Sequence, residues 1–274
     1  MSLSRYELGQ SGVIACGRDQ RFGYALYVPS RYESGASAVY HTDLIISMHG
    51  SARQVESYRN LFVDLAEERG CFVLAPLFPI GIPEAGNIDS FKTIAYGDIR
   101  FDQILIAMVG EVSQRYRVRF ARKLLYGFSG GGQFAHRFAF LHPEFLSAVA
   151  VGAPGKITLI SDDYPWWRGT ADVRQRFGRG IDLAALRRLR FLLLVGAQDT
   201  DTTEIHVDPD SSLWMPGAND AGATRIERLA SLERNLRGHG IPVRMSRVPG
   251  VAHIGAHGPL PALVNSFFRE VLES

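Results

Sequence analysis

Seven short apolar runs rich in β-branched residues recur along the chain and constrain its fold more than any other feature. Residues 191–195 are apolar at every position, without the alternation of a strand that faces water on one side. Such strands are typical of a parallel sheet whose two faces are both covered by helices. The other runs are at 24–28, 44–48, 71–75, 123–126, 148–152 and 243–248.

Segments with helical periodicity separate most of these runs. Apolar residues from Tyr58 to Ala66 share one helical face, and Gly70 then provides a C-terminal stop. Asp98 is a candidate N-cap for a helix with an apolar stripe over 101–116, and a similar stripe spans 263–271. We therefore predict an α/β fold with a mostly parallel central sheet of about eight strands, helices on both faces and no large cap domain.

The length of the chain and its 46% hydrophobic residues allow one α/β domain with a sizeable core, which we expect to span residues 1–274. Loops that leave the carboxyl ends of parallel strands build the functional site in such folds. We expect 154–180 and 200–223 to be loop insertions of this kind.

Charge and hydropathy argue against several kinds of partner. Thirty Lys and Arg against 28 Asp and Glu leave a net charge of +2, and the two signs are interspersed, so we expect neither a nucleic acid nor a membrane partner.

No run approaches the roughly 18 apolar residues of a membrane span, and the polar N-terminus lacks the apolar core of a signal peptide. We expect a cytoplasmic protein in which Cys16 and Cys71 are buried free thiols. The oligomeric state is left open.

The turn at 127–131, Gly-Phe-Ser-Gly-Gly, connects a predicted strand directly to a predicted helix. A turn this sharp strains its central residue and tolerates no bulk beside it, which explains Gly127 and Gly131. It also leaves the Ser129 hydroxyl at the edge of the sheet, next to the amides and positive dipole end of the following helix. Ser129 is therefore the candidate nucleophile.

A serine hydroxyl needs a base within hydrogen-bond reach and a third group that orients the base. His253 follows the last predicted strand, where a loop can carry it over the carboxyl edge of the sheet, and it is the candidate base, with His257 as the alternative. Asp199 follows the run at 191–195 and is the candidate acid, with Asp201 close enough to compete.

Acyl transfer also needs donors for the oxyanion, each lowering the barrier by roughly 3 to 4 kcal/mol. The candidates are the backbone N–H groups of Gly130, directly after the nucleophile, and of Ser51, in the loop after the run at 44–48. We interpret the side chain of His49 as structural. The acidic segment 199–210 lacks the glycine and terminal glutamate of an EF-hand loop, so we predict no metal.

The chain resembles the α/β-hydrolase superfamily from about residue 24 to its C-terminus. Within that superfamily it is similar to intracellular esterases related to polyhydroxybutyrate depolymerases and feruloyl esterases. The resemblance rests on residues 48–51, on 98–118 leading into 124–131, on 141–145, and on the chain order of serine, aspartate and histidine. It implies a cofactor-independent carboxylic ester hydrolase with a Ser–His–Asp triad and a small-molecule ester substrate.

The same triad would serve a thioesterase, a small peptidase or an acyltransferase, and a ligand-binding protein on this fold could keep it without turnover. Because 154–180 is short for a full cap domain, we predict an open site. Trp166 and Trp167 are the candidate substrate-binding residues at its mouth, with Trp214 and Phe78 as further possibilities.

Overall fold

A central sheet of eight strands and a separate two-stranded hairpin are present in the part of the chain that the computed structural model describes, residues 3–32 and 39–274. Residues 1–2 and 33–38 of the predicted domain lie outside it. In chain order the strands are β1 (Gly9–Ala15), β2 (Gly23–Val28), β3 (Tyr40–Met48), β4 (Phe72–Leu77), β5 (Ala95–Tyr96), β6 (Ile99–Arg100), β7 (Val118–Phe128), β8 (Ala148–Gly152), β9 (Arg190–Gly196) and β10 (Val243–Val248). Strands β5 and β6 form the hairpin.

The sheet has the order β1-β2-β4-β3-β7-β8-β9-β10. Strand β2 is antiparallel to both of its neighbours, and from β4 to β10 adjacent strands run parallel. All seven predicted strands are confirmed, and residues 191–195 are buried throughout, as their uniform apolarity predicts. The sequence does not predict β1, an edge strand in which Ser11 is the buried side chain.

Helices cover both faces of the sheet. They are α1 (Val55–Asn60), α2 (Val63–Arg69), α3 (Phe101–Arg115), α4 (Gly130–Leu141), α5 (Val173–Phe177), α6 (Leu183–Leu186), α7 (Arg225–Gly238) and α8 (Pro259–Glu273). On one face the ring of Phe62, between α1 and α2, packs against Tyr126 of β7 and Phe268 of α8. On the other face α3 and α4 meet through Phe78, whose ring contacts one phenylalanine of each helix.

Two predictions about helices are wrong. The apolar residues from Tyr58 to Ala66 belong to two helices, and the chain leaves the first of them at Leu61, whose carbonyl oxygen accepts a hydrogen bond from Asn265 Nδ2 at 3.0 Å. Asp98 does not cap α3, because it lies in the turn between β5 and β6, two residues before the helix N-cap.

The two stretches expected to be loop insertions follow the carboxyl ends of β8 and β9. Residues 154–180 contain only the short helix α5, and 200–223 contain neither helix nor strand. Neither stretch forms a cap domain. Among the described residues, none of the helices has the length and apolarity needed to cross a bilayer.

The first turn of α4 lies directly on the backbone of β3. A Cβ atom added to Gly131 would lie 2.5 Å from the carbonyl oxygen of Met48 and 2.7 Å from that of His49. Backbone atoms in the middle of a sheet cannot move aside as the end of a flexible side chain can. Only glycine therefore fits at position 131.

Gly131→Ala is expected to destabilise the protein, although alanine has the higher helix propensity. The clash with two carbonyl oxygens should lower the free energy of unfolding by about 1–3 kcal/mol, measured by urea denaturation. Gly110 in α3 is the matched control, because a Cβ there meets no atom within 4 Å. Gly110→Ala should raise the free energy of unfolding by about 0.5–1 kcal/mol. Similar effects of the two substitutions would contradict this account of the packing.

Candidate active site

Ser129 lies in a strained turn between β7 and α4. Its backbone has φ 56° and ψ −115°, a combination that a residue with a side chain adopts only when the surrounding structure enforces it. Gly127 is required beside it, because a Cβ at that position would lie 2.1 Å from the carbonyl oxygen of Gly131. The N–H of Ser129 donates to the carbonyl oxygen of Gly152 at 2.8 Å, which fixes the turn to the end of β8.

Asp199 and His253 meet at the same edge of the sheet, at the ends of β9 and β10. His253 Nδ1 lies 2.6 Å from Asp199 Oδ2, and the carboxylate is fully buried. In the neutral ring, Nδ1–H donates to this carboxylate and Nε2 remains able to accept a proton. Asp201, the competing candidate, is exposed and accepts hydrogen bonds from the N–H and hydroxyl of Thr203. Of the two acids, the structure brings Asp199 to His253.

The position of the His253 ring is set by packing on Phe128, the residue before Ser129. The two ring centroids are 4.7 Å apart. Gly255 allows the loop to return this closely, because a Cβ there would lie 2.0 Å from the Phe128 ring. The hydroxyl of Tyr126 donates to the carbonyl oxygen of Gly255 at 2.8 Å and anchors the loop on β7.

A buried arginine, Arg225, holds the second oxygen of Asp199. Its Nη1 lies 3.2 Å from Asp199 Oδ1, and its Nη2 lies 3.2 Å from the carboxylate of Glu204, which is largely exposed. Arg225 is the first residue of α7 and directly follows the N-cap Thr224, which forms a capping box with Glu227. The spacing of threonine and glutamate could have indicated this helix start, but it could not indicate that Arg225 reaches Asp199.

Ser51 and Gly130 lie side by side next to the strained turn. A Cβ added to Gly130 would lie 3.3 Å from the amide nitrogen of Ser51 and 3.0 Å from its hydroxyl oxygen. A Cβ on Gly50 would lie 3.9 Å from Ser129 Cβ. The two candidate oxyanion amides and the candidate nucleophile therefore share one small space.

His49 holds the loop that carries Ser51. Its Nδ1 donates to the carbonyl oxygen of Gly50 at 2.8 Å, and its Nε2 accepts from the N–H of Phe78 at 3.0 Å. Complete burial lowers the pKa of His49 to about 3, and the charge of Arg53 acts in the same direction. The ring is therefore neutral, which lets Nε2 accept, and it supports the loop structurally as the sequence predicts.

Arg53 ties the same loop to the segment after β4. Its guanidinium donates to the carbonyl oxygens of Ser51 at 2.6 Å, Phe78 at 3.1 Å and Ile88 at 2.9 Å. Its own φ is 54°, which is uncommon for a residue with a side chain. No motif in the sequence indicates this role.

Ser129, His253 and Ser51 line one open cavity of about 450 Å³, together with Glu204 and the exposed His257. Two further histidines, in or directly after the helix that follows Ser129, are buried and form hydrogen bonds outside this cavity. His136 contacts the carbonyl oxygen of Gly132, and His142 contacts Asp102.

Trp166 and Trp167 are not at the mouth of this cavity. Each is 5% exposed, and their indole N–H groups donate to the carbonyl oxygens of Thr93 and Leu213. Together the two rings line a different cavity, which Ser129 does not reach. Both side chains can be buried because each indole N–H has a carbonyl partner inside the protein. The prediction that they lie at the mouth of the site is therefore wrong.

The eight-stranded sheet with its antiparallel second strand and the strand–turn–helix around Ser129 define the α/β-hydrolase fold. The poly(3-hydroxybutyrate) depolymerase LpqC from Bordetella parapertussis has a similar structure, with a TM-score of 0.74 and 20% identity over 96% of this chain and 91% of that one. Poly(aspartic acid) hydrolase-1 from Sphingomonas sp. KT-1 matches with a TM-score of 0.72 and 17% identity over 97% and 99% of the two chains. An S-formylglutathione hydrolase from Agrobacterium tumefaciens matches with a TM-score of 0.60 and 16% identity over 100% and 98%.

The sequence matches no protein-family model and no curated protein. Because these three structures are at most 20% identical in sequence to the chain, their similarity shows its fold alone. The activity depends on the residues of the site.

The neutral His49 makes the protein sensitive to acid. In the unfolded chain this imidazole takes up a proton as the pH falls through about 6.5, whereas the folded state binds it only near pH 3. The free energy of unfolding should therefore fall by about 1.4 kcal/mol per pH unit below pH 6 on account of this residue. His49→Gln keeps an acceptor for the Phe78 amide. In urea titrations of this variant, the free energy of unfolding should fall less steeply between pH 6 and pH 5 than in the wild-type protein. Equal slopes for the two proteins would show that His49 is not held neutral.

Proposed function

We propose that this protein is a serine hydrolase that cleaves carboxylic esters through an acyl-enzyme on Ser129. In this mechanism His253 is the base, Asp199 orients it, and the amides of Ser51 and Gly130 bind the oxyanion. The observation that carries the proposal is the 2.6 Å contact between His253 Nδ1 and Asp199 Oδ2, in the cavity that Ser129 also lines.

In the acylation step Ser129 Oγ attacks the carbonyl carbon of the ester while His253 Nε2 takes the hydroxyl proton. The carboxylate of Asp199 keeps the other ring proton on Nδ1 and stabilises the imidazolium that forms. The carbonyl oxygen becomes an oxyanion beside the N–H groups of Ser51 and Gly130, each of which lowers the barrier by about 3–4 kcal/mol. The carbon–oxygen bond to the alcohol then breaks, and Nε2–H protonates the leaving alcohol.

Deacylation repeats these steps with water. His253 Nε2 removes a proton from a water molecule that attacks the acyl carbon, the same amides hold the second oxyanion, and Ser129 leaves with the proton from the imidazolium. Arg225 contributes by holding Asp199 Oδ1, so that Oδ2 stays directed at the ring.

The names of the structural neighbours support hydrolysis as the reaction and differ in the compound hydrolysed, so the fold alone does not set the substrate. Thioesters and amides present the same carbonyl carbon to Ser129. A thioesterase, small peptidase or acyltransferase would therefore use the same atoms, and the cavity wall would decide the leaving group.

Ser129→Ala is expected to reduce hydrolysis of short-chain p-nitrophenyl esters by about 10⁶-fold, because no other group can form the acyl-enzyme. Labelling by a fluorophosphonate probe should be lost in the same variant. A wild-type protein that neither hydrolyses these esters nor reacts with the probe would overturn the proposal and favour a ligand-binding protein on this fold.

Asp199→Asn and Asp201→Asn form a matched pair that tests the acid. The asparagine at 199 no longer fixes the tautomer of His253, so kcat should fall by about 10⁴-fold. Asp201 is exposed and bonded within its own turn, so its substitution should change kcat by less than about twofold. Steady-state kinetics on p-nitrophenyl acetate would measure both, and a larger loss in Asp201→Asn would reverse the assignment.

A further inference from the structure

A buried arginine connects the wall of the cavity to the candidate acid and, through it, to the candidate base. Arg225 Nη1 lies 3.2 Å from Asp199 Oδ1, and its Nη2 lies 3.2 Å from Glu204 Oε2. The other oxygen of Asp199 is the one that lies 2.6 Å from His253 Nδ1. Glu204 and His253 both line the cavity that Ser129 lines. A carboxylate on the cavity wall is therefore coupled to the base through two buried side chains.

The buried part of this connection has no net charge. The side chains of Arg225 and Asp199 are 2% and 0% exposed, so the guanidinium and the carboxylate interact with little screening by water. An imidazolium that forms on His253 next to this neutral pair is stabilised less than one next to a free carboxylate. The carboxylate of Glu204 gives the three groups together one negative charge.

Arg225 is placed to be shared between the two carboxylates. Its Nε has no hydrogen-bond partner in the part of the chain that the structure describes. Its two Nη groups therefore make its ion pairs, one with Asp199 and one with Glu204. A guanidinium can serve two carboxylates in this way because its five N–H groups have a fixed, planar arrangement.

The backbone beside Glu204 is held by contacts that do not involve its side chain. Arg228, three residues after Arg225 in α7, donates to the carbonyl oxygen of Ile205 at 2.8 Å. The side chain of Ile205 is buried, and the N–H of His206 donates to the carbonyl oxygen of Thr202 at 3.2 Å. A substitution of the largely exposed Glu204 side chain should therefore leave the loop in place.

Other charged groups near His253 do not replace this glutamate. Among the described residues that line the cavity, Glu204 provides the one carboxylate, and β7 and α1 contribute uncharged side chains. Asp201 is exposed and bonded within its own turn. Lys92, one of three lysines in the chain, is buried and paired with Asp89. His257 lines the cavity as well and carries no negative charge.

We propose that Glu204 is a positioning residue of the active site, which acts through Arg225. The arginine holds Asp199 in place, and Glu204 offsets the positive charge of the arginine. The negative charge of Asp199 thereby remains available to His253. This inference rests on the proposed ester hydrolysis and adds to it a residue that does not touch the reacting atoms.

Glu204→Gln tests the proposal, because it keeps an oxygen that can accept from Arg225 and removes the charge. With p-nitrophenyl acetate, kcat should fall about threefold to tenfold, since the imidazolium of the transition state is less stabilised. The acid limb of kcat/KM against pH should move to lower pH by about half a unit, because His253 binds its proton less readily when a negative charge is lost. A purely structural role would lower kcat without moving this limb.

Glu204→Asp retains the charge and should keep the acid limb close to its wild-type position. Asp210→Asn is the matched control, because it removes an exposed carboxylate of the same loop that does not line the cavity, and it should change neither kcat nor the limb. An unmoved limb in Glu204→Gln, or an equal displacement in Asp210→Asn, would overturn the proposal. If the ester is then still hydrolysed in a Ser129-dependent manner, only the role of Glu204 fails. If the wild-type protein hydrolyses no ester, the proposed function fails with it.

Discussion

The arrangement of the site depends on how closely the backbone segments around Ser129 approach one another. Gly131 touches the carbonyl oxygens at the end of β3, Gly127 touches Gly131, and a Cβ on Gly132 would lie 2.4 Å from the carbonyl oxygen of Gly152 in β8. No side chain fits between the first turn of α4 and three parallel strands. The helix start is therefore fixed relative to the sheet, and this packing compensates the strained backbone of the residue at its N-terminus.

Much of this arrangement could be predicted because parallel strands end at a shared edge. Uniformly apolar runs identified the strands, since both faces of the sheet are buried, and residues that directly follow strands must then meet. Ser129, Asp199 and His253 each follow such a strand, so the sequence predicts that they meet at one edge. It could not choose between Asp199 and Asp201, because two residues of one turn point in different directions. One is buried beside the imidazole, and the other is turned back onto Thr203.

The contacts that the sequence did not indicate join residues far apart in the chain. Arg225 reaches a carboxylate 26 residues earlier, and the guanidinium of Arg137 reaches a carbonyl oxygen 45 residues earlier. Neither contact follows from periodicity, because each depends on where a helix comes to lie against a distant segment of the chain once the sheet has formed. The paired tryptophans at 166–167 illustrate the same limit. The sequence predicts both at the mouth of the site, but carbonyl oxygens in neighbouring segments accept from the two indole N–H groups and allow both rings to be buried.

The scarcity of lysine has a practical consequence for handling the protein. Besides the N-terminus, its primary amines are three side chains, and one of them, Lys92, lies beside Gly130. Reagents that acylate amines react with the uncharged form, which Lys156 adopts in part at mildly alkaline pH because its pKa is lowered to about 8. Dyes, cross-linkers and resins that couple through amines therefore have few side chains to attach to, and Lys92 is largely closed to them because it is buried and paired with Asp89. A cysteine introduced on an exposed helix is the better handle for labelling or immobilisation.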